Sequence, residues 1–595
     1  MKVNYFFPTL IMALIMFPSC QNNGSNFSNA LIDLENVDLT KEWPMIETVA
    51  ARDSSIETEY FRFHFIESAL SGDQMSKIVQ KCNQNFSTLK KTIGGDKLTI
   101  PVEYLIYPTI EKKGLALQNA TLAHVDQQHQ KAYAVVGGFF EGYQMHPENE
   151  LIIRSQLGTA LHSALEKGLA IYLNPDWQKK GYDYWAARLF TSDNLPPLSE
   201  LLDEEWFANE SDLIMGCAAA SFVDFLINKQ GMQLFLAQYA SFSIAADRIN
   251  ELQEEWVAFL SSKYTRIPAV DKNMNVPWLK GFNFAHEGYR IYNGYGSSLA
   301  ENSMQQMINL GCNALAIVPY SYMRSDDVPS YLPIMRRAGS ETDESVVATH
   351  LQAKKMKAFT MLKPQIWMRG GWPGSIKMKN DQDWDQFFDY YYRWMRHYAL
   401  MAEIWEMDML CVGVEFAEAT KARPEDWRKL IRKLRGIYSG PMTYAANWGE
   451  EFESIPFWDE LDYIGLNCYY PLSKNKSANR AELEEGFRRT AQKIEKVCNR
   501  FQKPMIFTEI GFRSVEGTWM QPHEEANGRP VNEAEQSLCY EIVLNEIMDE
   551  KWCRGIIWWK WPSYADYDHR GGTGFTPSGK LAQEVVREKF SSGVE

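Results

Sequence analysis

Eight times between residues 271 and 595 a short apolar run is followed by a stretch whose apolar residues recur at helical spacing, and this repetition limits the fold more than any other feature of the chain. The strands it predicts are 279–284, 314–319, 357–367, 410–416, 442–446, 463–468, 505–509 and 555–559. Between them lie helical stretches such as 384–402 and 480–500, apolar on one face and charged on the other. Strands joined through helices run parallel, with the helices packed on the outside of the sheet. Eight such units favour a closed β/α (TIM) barrel over an open sheet, so the fold class expected is α/β.

Two carboxylates stand at strand ends, Glu415 after Leu410-Cys411-Val412-Gly413-Val414 and Glu509 after Met505-Ile506-Phe507-Thr508. They are 94 residues apart, which corresponds to three βα units of about 30 residues each and suits strands four and seven. In a parallel barrel both would rise to the face where the βα loops build active sites. A single strand-end glutamate is as readily a surface or ion-paired residue as a functional one. A pair matches glycoside hydrolysis, in which one carboxyl protonates the departing oxygen while the other stabilises or attacks the oxocarbenium centre. The two roles require two environments, one favouring the acid and one the carboxylate.

With 595 residues, 45% hydrophobic and 23% charged, the chain has material for two folded cores. A net charge of −15 disfavours nucleic acid as a partner and leaves a neutral polymer or sugar as the better expectation. The start, Met1-Lys2-Val3-Asn4 followed by an apolar run to Phe17 and by Pro18-Ser19-Cys20, reads as a lipoprotein signal peptide over 1–20, with Cys20 as the lipidated residue. A polar linker over 21–45 follows. The expected location is the bacterial cell envelope, with the exported chain tethered to the membrane through Cys20. Eight further cysteines, with no CxxC pair, are expected to be mostly free thiols, and no metal or cofactor is expected. Residues 46–270 read as a mostly helical α+β domain, with an alternating strand near 60–65 and helices over 157–173 and 218–239.

Several motifs of the second half carry a family resemblance. Trp278-Leu279-Lys280-Gly281-Phe282-Asn283, Met361-Leu362-Lys363-Pro364-Gln365, Val412-Gly413-Val414-Glu415, Phe507-Thr508-Glu509-Ile510-Gly511 and Trp558-Trp559-Lys560-Trp561 resemble glycoside hydrolase family 113. That resemblance implies a retaining barrel enzyme acting on β-1,4-mannan, with Glu415 as acid/base, Glu509 as nucleophile and Tyr469 bonded to the nucleophile. The position before Glu415 is Val414, where many members of the wider clan carry a sugar-binding Asn, and Asn447 is the nearest substitute. Glu418 competes for the acid role but lies three residues past the strand end. Flat aromatic walls and a few polar anchors suit sugars, which brings in Trp367, Arg369 and Trp372 after strand three, Trp559 and Trp561 at strand eight, and Asn283 and His286 as a pocket floor.

The first half resembles the helical core of gluzincin peptidases around 160–173 and 220–226 but contains no HExxH. Glu166, with His162 one turn earlier on the same face, is read as a relic of the third zinc ligand, giving a degenerate gluzincin-like domain over 46–270 without metal. The alternatives to a β-glycan hydrolase are a non-catalytic glycan-binding lipoprotein and a peptidase in the first half.

Overall fold

The computed structural model describes residues 52–94, 97–137, 145–264, 274–564 and 572–591. The signal peptide over 1–20, Cys20 and the linker over 21–45 lie outside the described residues, as does the boundary drawn near residue 270.

In chain order the strands are β1 (Arg52–Glu57), β2 (Phe61–Ser68), β3 (Val102–Tyr107), β4 (Ala123–Asp126), β5 (Lys131–Val135), β6 (Leu279–Ala285), β7 (Ala314–Ile317), β8 (Tyr320–Met323), β9 (Phe359–Leu362), β10 (Gln365–Met368), β11 (Met409–Val414), β12 (Met442–Asn447), β13 (Ile464–Cys468), β14 (Met505–Ile510) and β15 (Cys553–Pro562). Strands β6, β7, β9, β11, β12, β13, β14 and β15 pair in that order, all parallel, and β15 returns to β6 to close an eight-stranded barrel. Small and medium residues, among them Ala314, Ala316, Met361, Cys411, Ala445 and Ile506, fill its interior.

One expected strand becomes two. The run over 357–367 is β9 plus β10, divided at Lys363-Pro364, and Val318-Pro319 divides β7 from β8 in the same way. Proline has no N–H for the ladder. β8 and β10 therefore leave the barrel together and pair with each other as a parallel two-stranded extension above its mouth, Gln365 opposite Tyr320 and Met368 opposite Met323.

The first half contains a five-stranded sheet in the order β1-β2-β3-β5-β4, antiparallel at both edges. Its helices are shorter than the apolar spacing predicts. Of the expected helix over 157–173 only Ser163–Tyr172 is helical, since Leu157 ends a separate helix, Pro147–Leu157, and Gly158 after it takes a φ of 78°. The one over 218–239 is Asp212–Gln230 and Met232–Gln238, broken at Gly231 with a φ of 84°. Glycine reaches this region without the Cβ clash that other residues meet. His162 consequently caps a helix instead of sharing a helical face with Glu166; its ring bonds the Leu202 carbonyl at 3.1 Å, while Glu166 pairs with Arg154. All eight cysteines among the described residues are free and buried. Among those residues no helix is long and apolar enough to cross a membrane.

The two halves share a hydrophobic core. Trp177, Trp185, Leu189 and Ile214 belong to the same continuous buried cluster as Trp394, Tyr398, Leu434 and Ile437 of the barrel's outer helices. At this junction the Arg188 side chain donates to the Ile437 carbonyl at 2.7 Å and pairs with Glu403 at 3.1 Å, both groups almost wholly buried. Residues 271–595 expressed alone would expose that apolar surface and leave Glu403 without its cation, a loss of about 3–5 kcal/mol from the ion pair alone. The expected outcome is aggregated protein by size-exclusion chromatography; a monomeric barrel with full activity would contradict the shared core.

Candidate active site

Glu509, near the end of β14, is 6% exposed and surrounded by donors. The Lys363 ammonium reaches its Oε1 at 2.5 Å, the Gln365 amide donates to the same oxygen at 3.1 Å, and the Tyr469 hydroxyl donates to Oε2 at 3.1 Å. Lys363 is itself fully buried, held by the Asn283 Oδ1 at 3.1 Å and the Thr508 carbonyl at 3.2 Å. A buried ammonium needs such a partner, since an unpaired charge inside a fold costs several kcal/mol, of order 3–5.

Glu415 follows β11 with a φ of 56°, in the left-handed region that non-glycine residues rarely occupy and that costs about 1–3 kcal/mol. Its neighbours hold it there. The Glu415 N–H donates to the Ala445 carbonyl at 2.9 Å and the Phe416 N–H to the Tyr444 hydroxyl at 2.7 Å. That hydroxyl donates in turn to the buried carboxylate of Glu451 at 2.6 Å. The side chain of Glu415 accepts from the Trp372 indole at 2.7 Å and from the Asn467 amide at 2.9 Å. Asn467 also accepts the Thr508 hydroxyl at 2.9 Å and lies in register with Glu509, so one side chain links the surroundings of both carboxylates. Burial, and then the negative charge of Glu509, push Glu415 up to about 7, against the opposing pull of Trp372, Asn467 and Lys363.

The model of Glycoside Hydrolase Family 113 matches residues 281–580, half of the chain. The chain belongs to glycoside hydrolase family 113. Solved structures similar to this family 113 chain include a GH113 beta-1,4-mannanase complex, 24% identical over 53% of this chain and 100% of that one, with a TM-score of 0.47. The GH113 beta-mannanase AaManA from Alicyclobacillus acidocaldarius in complex with ManMIm is 25% identical over 54% of this chain and 99% of that one, at 0.48. A beta-glucuronidase of Ruminococcus gnavus is 13% identical over 53% of this chain and 50% of that one, at 0.37. No curated protein matches the chain.

In this glycoside hydrolase the structure brings Glu415, Glu509 and Tyr469 together, along with Trp372, which binds Glu415. Trp367 is half-buried on β10, its ring edge against Tyr322 at 5.9 Å, and Arg369 beyond it is exposed. Asn447 is half-buried, and its backbone N–H donates to Glu451 at 2.6 Å. Trp559 is half-buried within β15, with the Lys560 ammonium 5.5 Å from its ring.

Three expected sugar contacts are corrected. Trp561 is 1% exposed, packs on Phe282 and donates to the Ser303 carbonyl at 3.0 Å, outside the mouth. Asn283 is fully buried, its amide donating to the Thr508 carbonyl at 3.0 Å, so it braces Lys363 and does not floor a pocket. His286 is buried with Nδ1 2.9 Å from Glu341. Glu418 lies on the helix Ala417–Ala422, half-buried and paired with Lys377 at 3.3 Å. Lys363, Gln365 and Asn467 are absent from the expected site, although a lysine or asparagine inside an otherwise apolar barrel strand is a signal in itself. Among the described residues, no group of three or more His, Cys, Asp or Glu side chains is placed to hold a metal ion.

Proposed function

We propose that this enzyme hydrolyses β-linked glycan of the β-1,4-mannan type by double displacement, with Glu509 as nucleophile and Glu415 as acid/base. The observation that carries the reading is the asymmetry of the two carboxyls. Glu509 meets donors only, as an attacking carboxylate requires, while burial raises Glu415 to about 7 and keeps it an acid near neutrality. The family motifs around both residues, and the mannanases among the similar structures, favour mannan as the substrate.

An acid that must be protonated loses activity as pH rises, so kcat/KM is expected to fall on the alkaline side with a limb near 7. Trp372 lowers that value by stabilising the carboxylate, and Trp372→Phe is expected to move the limb to higher pH. A limb that moves down or stays in place would separate it from Glu415. The substrate reading is tested with purified β-linked manno-, gluco- and xylo-oligosaccharides followed by proton NMR. Mannan cleavage with a β-anomer as first product is expected, and a first-formed α-anomer would overturn double displacement.

We propose from the sequence that Cys20 carries a lipid tethering the enzyme at the cell envelope. Cys20→Ser is expected to release it from the membrane fraction; protein that stays membrane-bound would argue against the tether.

A further inference from the structure

β8 and β10 run side by side out of the barrel, and their residues alternate between half-buried and buried, Tyr320 and Tyr322 with Gln365 and Trp367 on the more open face, and Ser321 and Met323 with Ile366 and Met368 beneath. In a strand, every second side chain shares a face. The inner end of the open face is at the chemistry, because Gln365 donates to Glu509 and the charge of Glu509 acts on Tyr320. One step outward, Tyr322 and Trp367 stand opposite each other with their rings in contact, a surface suited to the apolar face of a sugar.

The residues that follow the last register pair, Met323 and Met368, are Arg324 and Arg369. Both are exposed, and among the described residues neither forms a hydrogen bond or ion pair. Neighbouring acids are already committed, Asp327 to Lys379 at 2.8 Å, Glu418 to Lys377 at 3.3 Å and Glu341 to His286, while Asp326 lies within ion-pairing distance of neither arginine. Each stands one residue past its strand end, Arg324 in a bend and Arg369 in a turn, so two like charges come to the same outer end of the extension. Here that occurs in a chain with an excess of 15 negative charges, where counter-ions are plentiful. Exposed and without an internal partner among the described residues, the two guanidinium groups are available to a ligand. Their planar forks match carboxylate and sulfate oxygens.

We propose that Arg324 and Arg369 form an outer subsite for an anionic group on the glycan, a uronate carboxylate or a sulfate ester, borne by a sugar unit beyond the one attacked by Glu509. From Gln365 to Met368 the strand advances about 10 Å at roughly 3.3 Å per residue and Arg369 opens the turn beyond it, which places the charge outside the catalytic unit and beyond the Tyr322 and Trp367 step. This subsite rests on the catalytic reading of Glu509 given above.

The test compares kcat/KM on three oligosaccharides with the same β-linked backbone: one neutral, one bearing a uronate and one bearing a sulfate. Wild-type enzyme is expected to prefer at least one anionic form by about tenfold at low salt, and 0.5 M NaCl should reduce that preference. In Arg324→Ala/Arg369→Ala the anionic-to-neutral ratio is expected to fall to about one, and a lysine pair, Arg324→Lys/Arg369→Lys, to restore it in part. Preference for the uronate alone assigns a carboxylate, for the sulfate alone a sulfate ester, and for both a general anion subsite. No preference in the wild type, or a preference that survives in the alanine pair, overturns the proposal. Failure to turn over even the neutral backbone would instead count against the proposed function.

Discussion

Glu509→Gln is expected to lower kcat by about 10⁴-fold or more while leaving the protein folded and able to hold oligosaccharide. The amide keeps the shape of the carboxyl and an oxygen for the Lys363 ammonium, but it cannot form an ester with the sugar. At about 1.4 kcal/mol per tenfold, the loss corresponds to roughly 5 kcal/mol of transition-state stabilisation. Glu509→Ala is a harsher change. It removes the one charge partner within 2.5 Å of a fully buried lysine, so a fall in Tm is expected along with the loss of turnover. Measuring kcat beside glycan affinity separates an enzyme from a binding protein: retained binding with lost turnover fits hydrolysis, whereas unchanged turnover in Glu509→Gln would remove the nucleophile from the account.

Glu415→Ala has the second large effect, and its form depends on the substrate. With an oligosaccharide, whose leaving oxygen needs a proton, kcat/KM is expected to drop about 10²–10⁴-fold. With an aryl glycoside whose phenolate departs unaided, formation of the glycosyl-enzyme should be little affected and its breakdown should become slow. Azide, replacing the water that Glu415 would activate, is expected to restore turnover and give the β-glycosyl azide. An equal loss on both substrates, with no azide product, would show that Glu415 serves structure and not proton transfer. Its left-handed backbone makes this control necessary, since Glu415 is also the residue that Ala445, Tyr444 and Glu451 hold in place.

The barrel was legible because eight apolar runs alternate with amphipathic helices, and the acidic pair because each member ends one of those runs. The departures have local causes. Pro364 splits the one strand expected over 357–367, Pro319 is followed by a short strand that was not expected, and the resulting extension carries the open face with Tyr322 and Trp367. Trp559 and Trp561 should share a face by strand alternation. The register shift between Trp558 and Trp561 instead turns Trp561 into the core. Lys363, Gln365 and Asn467 act through contacts between distant strands, which spacing along the chain cannot show. In the first half, apolar spacing ran through Gly158 and Gly231, where the backbone leaves the helix.

The central claim is that Glu509 forms a covalent bond to the sugar. Incubation with a 2-fluoro mannosyl fluoride, which slows breakdown of the glycosyl-enzyme, followed by mass spectrometry of the digested protein, addresses it directly. Time-dependent inactivation is expected, with a single fluorosugar adduct on the peptide containing Glu509 that is absent in Glu509→Gln. An adduct on Glu415 or another residue, or continued turnover of the reagent with net inversion and no adduct, would contradict it.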